Sequence, residues 1–458
     1  MKTELMCGRL VTLSKHLLQF SPSSPSLFKN PVISACSSTK THEAFITVEP
    51  QVGLYDEVVK IHCHRFPTGV KITLHGEVEN DRKNIFASCG YYSTDHNGHI
   101  DVTAQSSQGG TYTGVEPMGI FWSLKPAPGQ PPTSRLIIKD TERPCIFRLR
   151  AYLGHLSLAS IYSQPVSQLE ILASLNVERW VKGKDVTRLE IEEGRVRGVL
   201  YLPKGEGPFQ GVIDMFGANG GVIEYRAALL ASRGFAALCL PYFKFKDLPK
   251  DLSTLDYDYF EEAINWLSSH PKVHSQGIGV VATSKGVENA LFMGAYSPKI
   301  SAVVCINGYP FVTAGDLTSK GQVLLKGAQM SLDHMLITDE GLDLRAAYPV
   351  QSEIIPIWKG KAKYLILSSM DDFQINSNLH EELLAACPEE KKKDIEVVQY
   401  TGAGHLLEPP FNPLCRTTIN PAYGIVLKFG GQPLDHARAQ VDSWKRILEF
   451  LRKNIPTE

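Results

Sequence analysis

With 458 residues and a formal net charge of −1, the chain is too long for one hydrophobic core and has no bulk attraction to nucleic acid or anionic membrane. Its 43% hydrophobic and 21% charged residues are ordinary for a soluble globular protein. No run of about 18 apolar residues occurs, so no bilayer-spanning helix is expected. The nine cysteines are scattered, with no Cys-x-x-Cys pair and no zinc-ligand spacing. Buried reduced thiols in a reducing compartment follow, with no metal and no cofactor.

In chain order, residues 1–41 form a leader. Lys2, Arg9, Lys15, Lys29 and Lys40 stand against a single acid, Glu4. Leu10, Leu13, Leu17 and Phe20 share a helical face. A basic, Ser-rich, acid-poor, amphipathic leader resembles a mitochondrial transit peptide, and a disordered tail is the alternative. A matrix location, or failing that a cytoplasmic one, is therefore expected. Residues 42–165 then read as short strands with period-two alternation: "FITVEP", "VVKIHCHRF", "VKITLHGEVE", "NIFASCGYYS" and "CIFRLRAYL". Turn formers such as Asp95-His96-Asn97-Gly98 separate them. The spacing predicts an antiparallel β-sandwich, immunoglobulin-like in kind, with Phe121 and Trp122 in its core. Residues 166–187 are expected as a linker.

From residue 188 to 458 the rhythm becomes strand, helix, strand, helix. "RLEIEEG" and "RVRGVLYLP" form an opening hairpin, and "GVIDMFG" runs into a Gly-rich loop. "GFAALCLPYF", "ISAVVCING", "KYLILSS" and "DIEVVQY" supply further strands, with helices at Glu224–Ser232, Tyr257–Leu267 and Ala437–Arg452. Such alternation predicts an α/β domain with a mostly parallel sheet covered on both faces. Periodicity is poor from Ile306 to Lys361, a stretch long enough to cap a site. The charge run Glu389–Asp394 reads as a solvated helix end. A monomer or weak homo-oligomer is expected.

The stretch "GIGVVATSKGVENA", Gly277–Ala290, organises this domain. A buried apolar strand breaks at Thr283-Ser284-Lys285-Gly286, and a helix with Val287, Ala290, Leu291 and Ala295 on one face follows. Strand, sharp turn with a central Ser, then helix is the layout of a nucleophile elbow. Strand and helix nearly touch there, so the positions two before and two after the Ser must be small; Ala282 and Gly286 are. A hydroxyl needs a base, and a His base needs a carboxylate to fix its tautomer. In the α/β-hydrolase order these follow as Ser, acid, His, each in the loop after its own strand. Asp371 and Asp372 follow "KYLILSSM", and His405 follows "VVQYTGAG". Position alone does not choose between the aspartates; the other one would cap the following segment. The Lys285 N–H and an amide of the loop at Gly217, Ala218 or Asn219 are the expected oxyanion donors. The Lys285 side chain, at a helix start, is expected to face solvent.

"ATSKG", "DMFGANGG", "MDDFQIN", "YTGAGHLLEPPFNP" and "GTYTGVEPMGIFWSLKP" resemble the acyl-CoA thioesterase and bile acid-CoA:amino acid N-acyltransferase family, over nearly all the chain past the leader. The resemblance implies an α/β-hydrolase domain behind a β-sandwich, with an acyl-CoA as substrate. It carries the nucleophile onto Ser284, the base onto His405 and the acid onto Asp372. It also implies cleavage of the acyl-CoA to free fatty acid and coenzyme A, since the bile-acid amidating branch has Cys at the elbow. Transfer of the acyl group to an amino acid is the alternative. A catalytically silent binding protein and an ester or lactone hydrolase are weaker ones.

Overall fold

The structure, a computed structural model, describes residues 43–348, 352–420 and 424–457. The leader expected at 1–41 lies outside the described residues. An eight-stranded sheet dominates the rest of the chain. Its strands are β1 (Thr187–Glu193), β2 (Val196–Leu202), β3 (Phe209–Met215), β4 (Ala236–Cys239), β5 (Val273–Thr283), β6 (Ile300–Ile306), β7 (Lys363–Ser369) and β8 (Ile395–Tyr400). They lie in the order β1-β2-β4-β3-β5-β6-β7-β8. β1, β2 and β4 pair antiparallel, and every pair from β4–β3 onward is parallel. This is the α/β architecture expected from the sequence, with a mixed sheet whose larger part is parallel.

Helices cover both faces, which is why the central strands are apolar without interruption. Neighbouring residues of a strand point to opposite faces. Ile213, Leu238, Val280, Ala282 and Val303 pack on one face with α2 (Tyr257–Ser268) and α3 (Lys285–Tyr296). Val212, Ala237, Val281 and Val304 pack on the other with α1 (Tyr225–Ser232) and α5 (Pro433–Asn454). Between β7 and β8 lies α4 (Leu379–Ala386). No helix among the described residues is long and apolar enough to cross a membrane.

Two smaller sheets precede this domain. One is three-stranded, from Phe45–Glu49, Lys60–His64 and Ile100–Asp101. The other has six strands, in the spatial order Val52–Leu54, Ile171–Trp180, Cys145–Leu153, Lys71–Glu79, Ile85–Ser93, Lys125–Pro126. Phe121 and Trp122 are buried in a short helix, Gly119–Trp122. The linker expected at 166–187 is corrected here. Ten of its residues, Ile171–Trp180, form a strand paired with Cys145–Leu153, from Cys145↔Arg179 to Tyr152↔Ile171. The pattern was obscured because Arg179, polar by type, is 2% exposed and lies in the core. Val52–Leu54 also joins this strand in parallel, so the region is not wholly antiparallel.

Two further expectations change. The stretch Ile306–Lys361 is not irregular throughout. Asp316–Ser319 and Gln322–Leu325 form a hairpin that pairs with Thr254–Asp256. Leu336–Thr338 and Gly341–Asp343 join Ile425–Lys428 and Thr417–Asn420. Strands of three or four residues are too short to show a period. The charge run 389–394 is not merely solvated either: Lys391 is 8% exposed. Its Nζ donates to Ala362 O at 2.8 Å and Gly360 O at 3.2 Å.

The N-terminal sheets share a continuous core with α1 and α5. A buried carboxylate ties them: Asp56 accepts from Arg233 Nε at 2.9 Å and Trp444 Nε1 at 2.8 Å. Asp56→Ala is expected to cost about 1–3 kcal/mol, because Trp444 Nε1 loses its acceptor while the partly exposed Arg233 rehydrates. A lower urea midpoint at unchanged slope is the readout.

Candidate active site

β5 ends at Thr283 and α3 begins at Lys285, so Ser284 alone makes the turn. Its φ of 57° and ψ of −128° lie where a residue with a Cβ rarely sits, a strain of about 1–3 kcal/mol. The crowding explains the small neighbours. A Cβ on Gly286 would lie 2.8 Å from Phe216 O, and one on Gly217 would lie 2.7 Å from Ser284 Cβ. Ala282 is fully buried. The Gly-rich loop after β3 therefore rests on the elbow through Gly217, while Ala218 and Asn219 are exposed. The Lys285 N–H opens α3, where the first amides of a helix have no intrahelical acceptor.

The structure brings three of the expected residues together. His405 Nε2 lies 3.0 Å from Ser284 Oγ, and His405 Nδ1 lies 2.7 Å from Asp372 Oδ2. His405 is 4% and Asp372 2% exposed. An ionised carboxylate only accepts, so Nδ1 carries the proton and Nε2 faces the hydroxyl as acceptor. The two aspartates separate cleanly. Asp371 Oδ2 accepts from Gly431 N at 3.0 Å. Asp372 Oδ1 accepts from Gln374 N at 2.7 Å and Ile375 N at 3.1 Å. The capping role expected of the other aspartate thus belongs to Asp372 itself, whose second oxygen remains for His405. Such a relay of hydroxyl, imidazole and carboxylate can take a proton from the Ser and return it to a leaving group.

Three further groups support this arrangement. Arg226, on α1, is 1% exposed. It donates to Asp214 Oδ1 (2.6 Å), Met215 O (2.8 Å) and Thr283 Oγ1 (2.6 Å), fastening the end of β3 to the residue before Ser284. His436 Nδ1 accepts from Gly404 N at 3.1 Å, steadying the loop that presents His405. Lys285 corrects an expectation: its side chain is 5% exposed, not solvent-facing. Lys285 Nζ is paired with Glu288 and donates to Thr313 O at 2.5 Å, while Glu288 accepts from Thr313 N at 2.8 Å. Burial pushes the Lys285 ammonium down and the Glu288 carboxyl up from their ordinary ranges, each partner drawing the other back. The i,i+3 spacing of Lys285 and Glu288 was the available signal. Arg226 and His436 gave none.

Among the described residues no group of three or more His, Cys, Asp or Glu is disposed to hold a metal ion. The seven described cysteines are free thiols.

Residues 56–193 match the family described as "Acyl-CoA thioester hydrolase/BAAT N-terminal region" and residues 255–457 match "BAAT / Acyl-CoA thioester hydrolase C terminal". Acyl-coenzyme A amino acid N-acyltransferase 1 of Mus musculus is 39% identical over 89% of this chain and 96% of its own length. Bile acid-CoA:amino acid N-acyltransferase of Homo sapiens is 37% identical over 90% and 97%. Acyl-coenzyme A thioesterase 1 of Homo sapiens is 34% identical over 88% and 94%.

Two outcomes follow from the supports. Burial pulls the His436 imidazole down from 6.5 to about 4. A depressed His binds its proton later in the folded than in the unfolded state. Its contribution is therefore complete above pH 6.5 and lost as pH falls towards about 4. That loss is on the order of 3 kcal/mol. Equilibrium unfolding against pH should show it, with a shallower acid slope in His436→Gln than in the parent; His75, also pulled down to about 4, adds a slope of the same sign that both proteins share. Glu288→Ala leaves a buried ammonium unpaired and should destabilise by about 3–5 kcal/mol in denaturant unfolding.

Proposed function

The chain belongs to the BAAT/acyl-CoA thioester hydrolase family, and we propose that it moves the acyl group of an acyl-CoA, through an ester on Ser284, to the amine of an amino acid. His405 held between Ser284 Oγ and Asp372 supports the Ser284 ester, and the names of the relatives support an amine as acceptor. The relatives of higher identity bear amino acid N-acyltransferase names, which reverses the order expected from the sequence, where hydrolysis came first.

His405 Nε2 takes the Ser284 proton as Oγ attacks the thioester carbonyl. The oxyanion rests on the Lys285 N–H and on a donor of the Gly217–Ala218 loop. The C–S bond breaks, and the coenzyme A thiolate leaves with the proton from His405. An amine nitrogen then attacks the Ser284 ester, His405 accepts its proton, and Oγ departs with it. Amide and free coenzyme A thiol are the products. Asp372 keeps the imidazole in the useful tautomer and stabilises the imidazolium in both halves.

Attack by water on the same ester is the second reading, favoured by a hydroxyl at 284 where the family resemblance implies a thiol in the bile-acid amidating branch. On either reading residues 188–458 are an α/β-hydrolase domain and the sheets before it an immunoglobulin-like sandwich.

Mixing the full-length protein with an acyl-CoA, with and without glycine or taurine, tests the choice. Amide should outrun free acid when the amine is present; free acid alone would leave hydrolysis. Ser284→Ala and His405→Ala should lower thiol release by on the order of 10⁴-fold or more. Asp372→Asn should lose about 10⁴-fold through the wrong tautomer. Full thiol release by Ser284→Ala would contradict the ester.

A further inference from the structure

The turn after β6 reaches the backbone of Ser284, the backbone of His405 and the strand end that leads to Asp372. Ile306 O accepts from Ser284 N at 2.9 Å. A Cβ on Gly308 would fall 2.7 Å from Ser284 O and 2.2 Å from Val287 Cβ, so this turn lies flat on the elbow. Between them Asn307 is 5% exposed, with a φ of 48°. Asn is among the few residues that enter this left-handed region at modest cost. Its own N–H donates to Leu367 O at 3.1 Å.

The Asn307 side chain then reaches the other two loops. Oδ1 accepts from Ser369 N at 2.7 Å, at the last residue of β7 and three positions before Asp372. Nδ2 donates to His405 O at 2.8 Å and to Ser369 Oγ at 2.9 Å. One end of the amide faces a backbone N–H and the other a backbone carbonyl, so its orientation is fixed. No other residue type fits as well. A carboxylate has no donor for His405 O, and an aliphatic group of the same size would orphan two buried backbone groups.

We propose that Asn307 is a positioning residue that holds the His405 and Asp372 loops in register with the elbow, an inference that rests on reading Ser284, His405 and Asp372 as nucleophile, base and acid. Asn307 touches no reacting atom. It fixes the backbone of the base, and through Ser369 the strand end from which the acid projects. A buried amide that served the fold alone would alter stability and leave turnover per folded molecule unchanged.

The test uses the full-length protein and four variants, with turnover measured per folded molecule. Asn307→Gly removes the side chain and suits the left-handed backbone. Its kcat should fall about 10²-fold, the loss that a misplacement of about 1 Å brings, with KM changed less than about threefold. Its reaction with a fluorophosphonate at Ser284 should slow in parallel. Asn80→Ala removes another buried amide, whose bonds go to Arg135 O at 3.1 Å, Arg82 N at 2.9 Å and Asn84 N at 3.0 Å, none of them on the elbow or on the His405 and Asp372 loops. It should lower the unfolding midpoint with kcat within about twofold of the parent. Should the glycine variant not fold, Asn307→Asp carries the same test, since it keeps the Ser369 N–H bond and at neutral pH offers His405 O no donor. A dead Ser284→Ala with a folded Asn307 variant at parental kcat overturns this inference alone. An active Ser284→Ala overturns the reading beneath it.

Discussion

The close approach of three strand ends around Ser284 is the constraint on which the rest depends. A non-glycine residue at φ 57° is costly by itself. It persists because β3, β5 and β6 leave no room for another path. The exit of β3 lies against it through Gly217, and Ile306 O holds its N–H. The energy offsetting the strain is remote from the turn. α3 is buried on every side from Lys285 to Ala295, and burial of its large apolar side chains is worth about 1.5–3 kcal/mol each. A mutation in that helix core should therefore be felt at the hydroxyl.

Buried charge flanks the elbow on two sides. Arg226 and Asp214 are 1% and 0% exposed, Lys285 and Glu288 5% and 0%. Pairs of this kind seldom add net stability, because desolvation consumes most of the attraction. What they supply here is geometry. Arg226 binds three acceptors on β3 and β5 at once. Glu288 gathers Lys285 and Thr313, so the start of α3 and the stretch after β6 cannot move apart separately. In the proposed mechanism, rigid support of this sort would keep the oxyanion donors aimed without reorganisation.

Much of this was legible in the sequence because the elbow combines three local rules: an apolar run, small residues on either side of a Ser, and a helical face. The loops of Asp372 and His405 were legible for the same reason, since each follows an apolar strand. What escaped depends on long-range packing. Position alone left Asp371 and Asp372 open; the family resemblance pointed to Asp372, but the physical reason, Gly431 occupying Asp371 from a distant part of the chain, is not local. The strand Ile171–Trp180 was hidden by a buried arginine. Lys285 was read as solvated because lysines usually are, and Thr313, which completes its pairing, lies in a stretch without periodicity.

In the proposed function acyl transfer passes through an ester on Ser284. Rapid quenching of the full-length protein with an acyl-CoA, followed by intact and peptide mass spectrometry, addresses it directly. The account predicts a mass gain equal to the acyl group, confined to the peptide containing Ser284 and discharged when an amine or water is admitted. Turnover with no adduct at any time, or with the adduct on another residue, would contradict it.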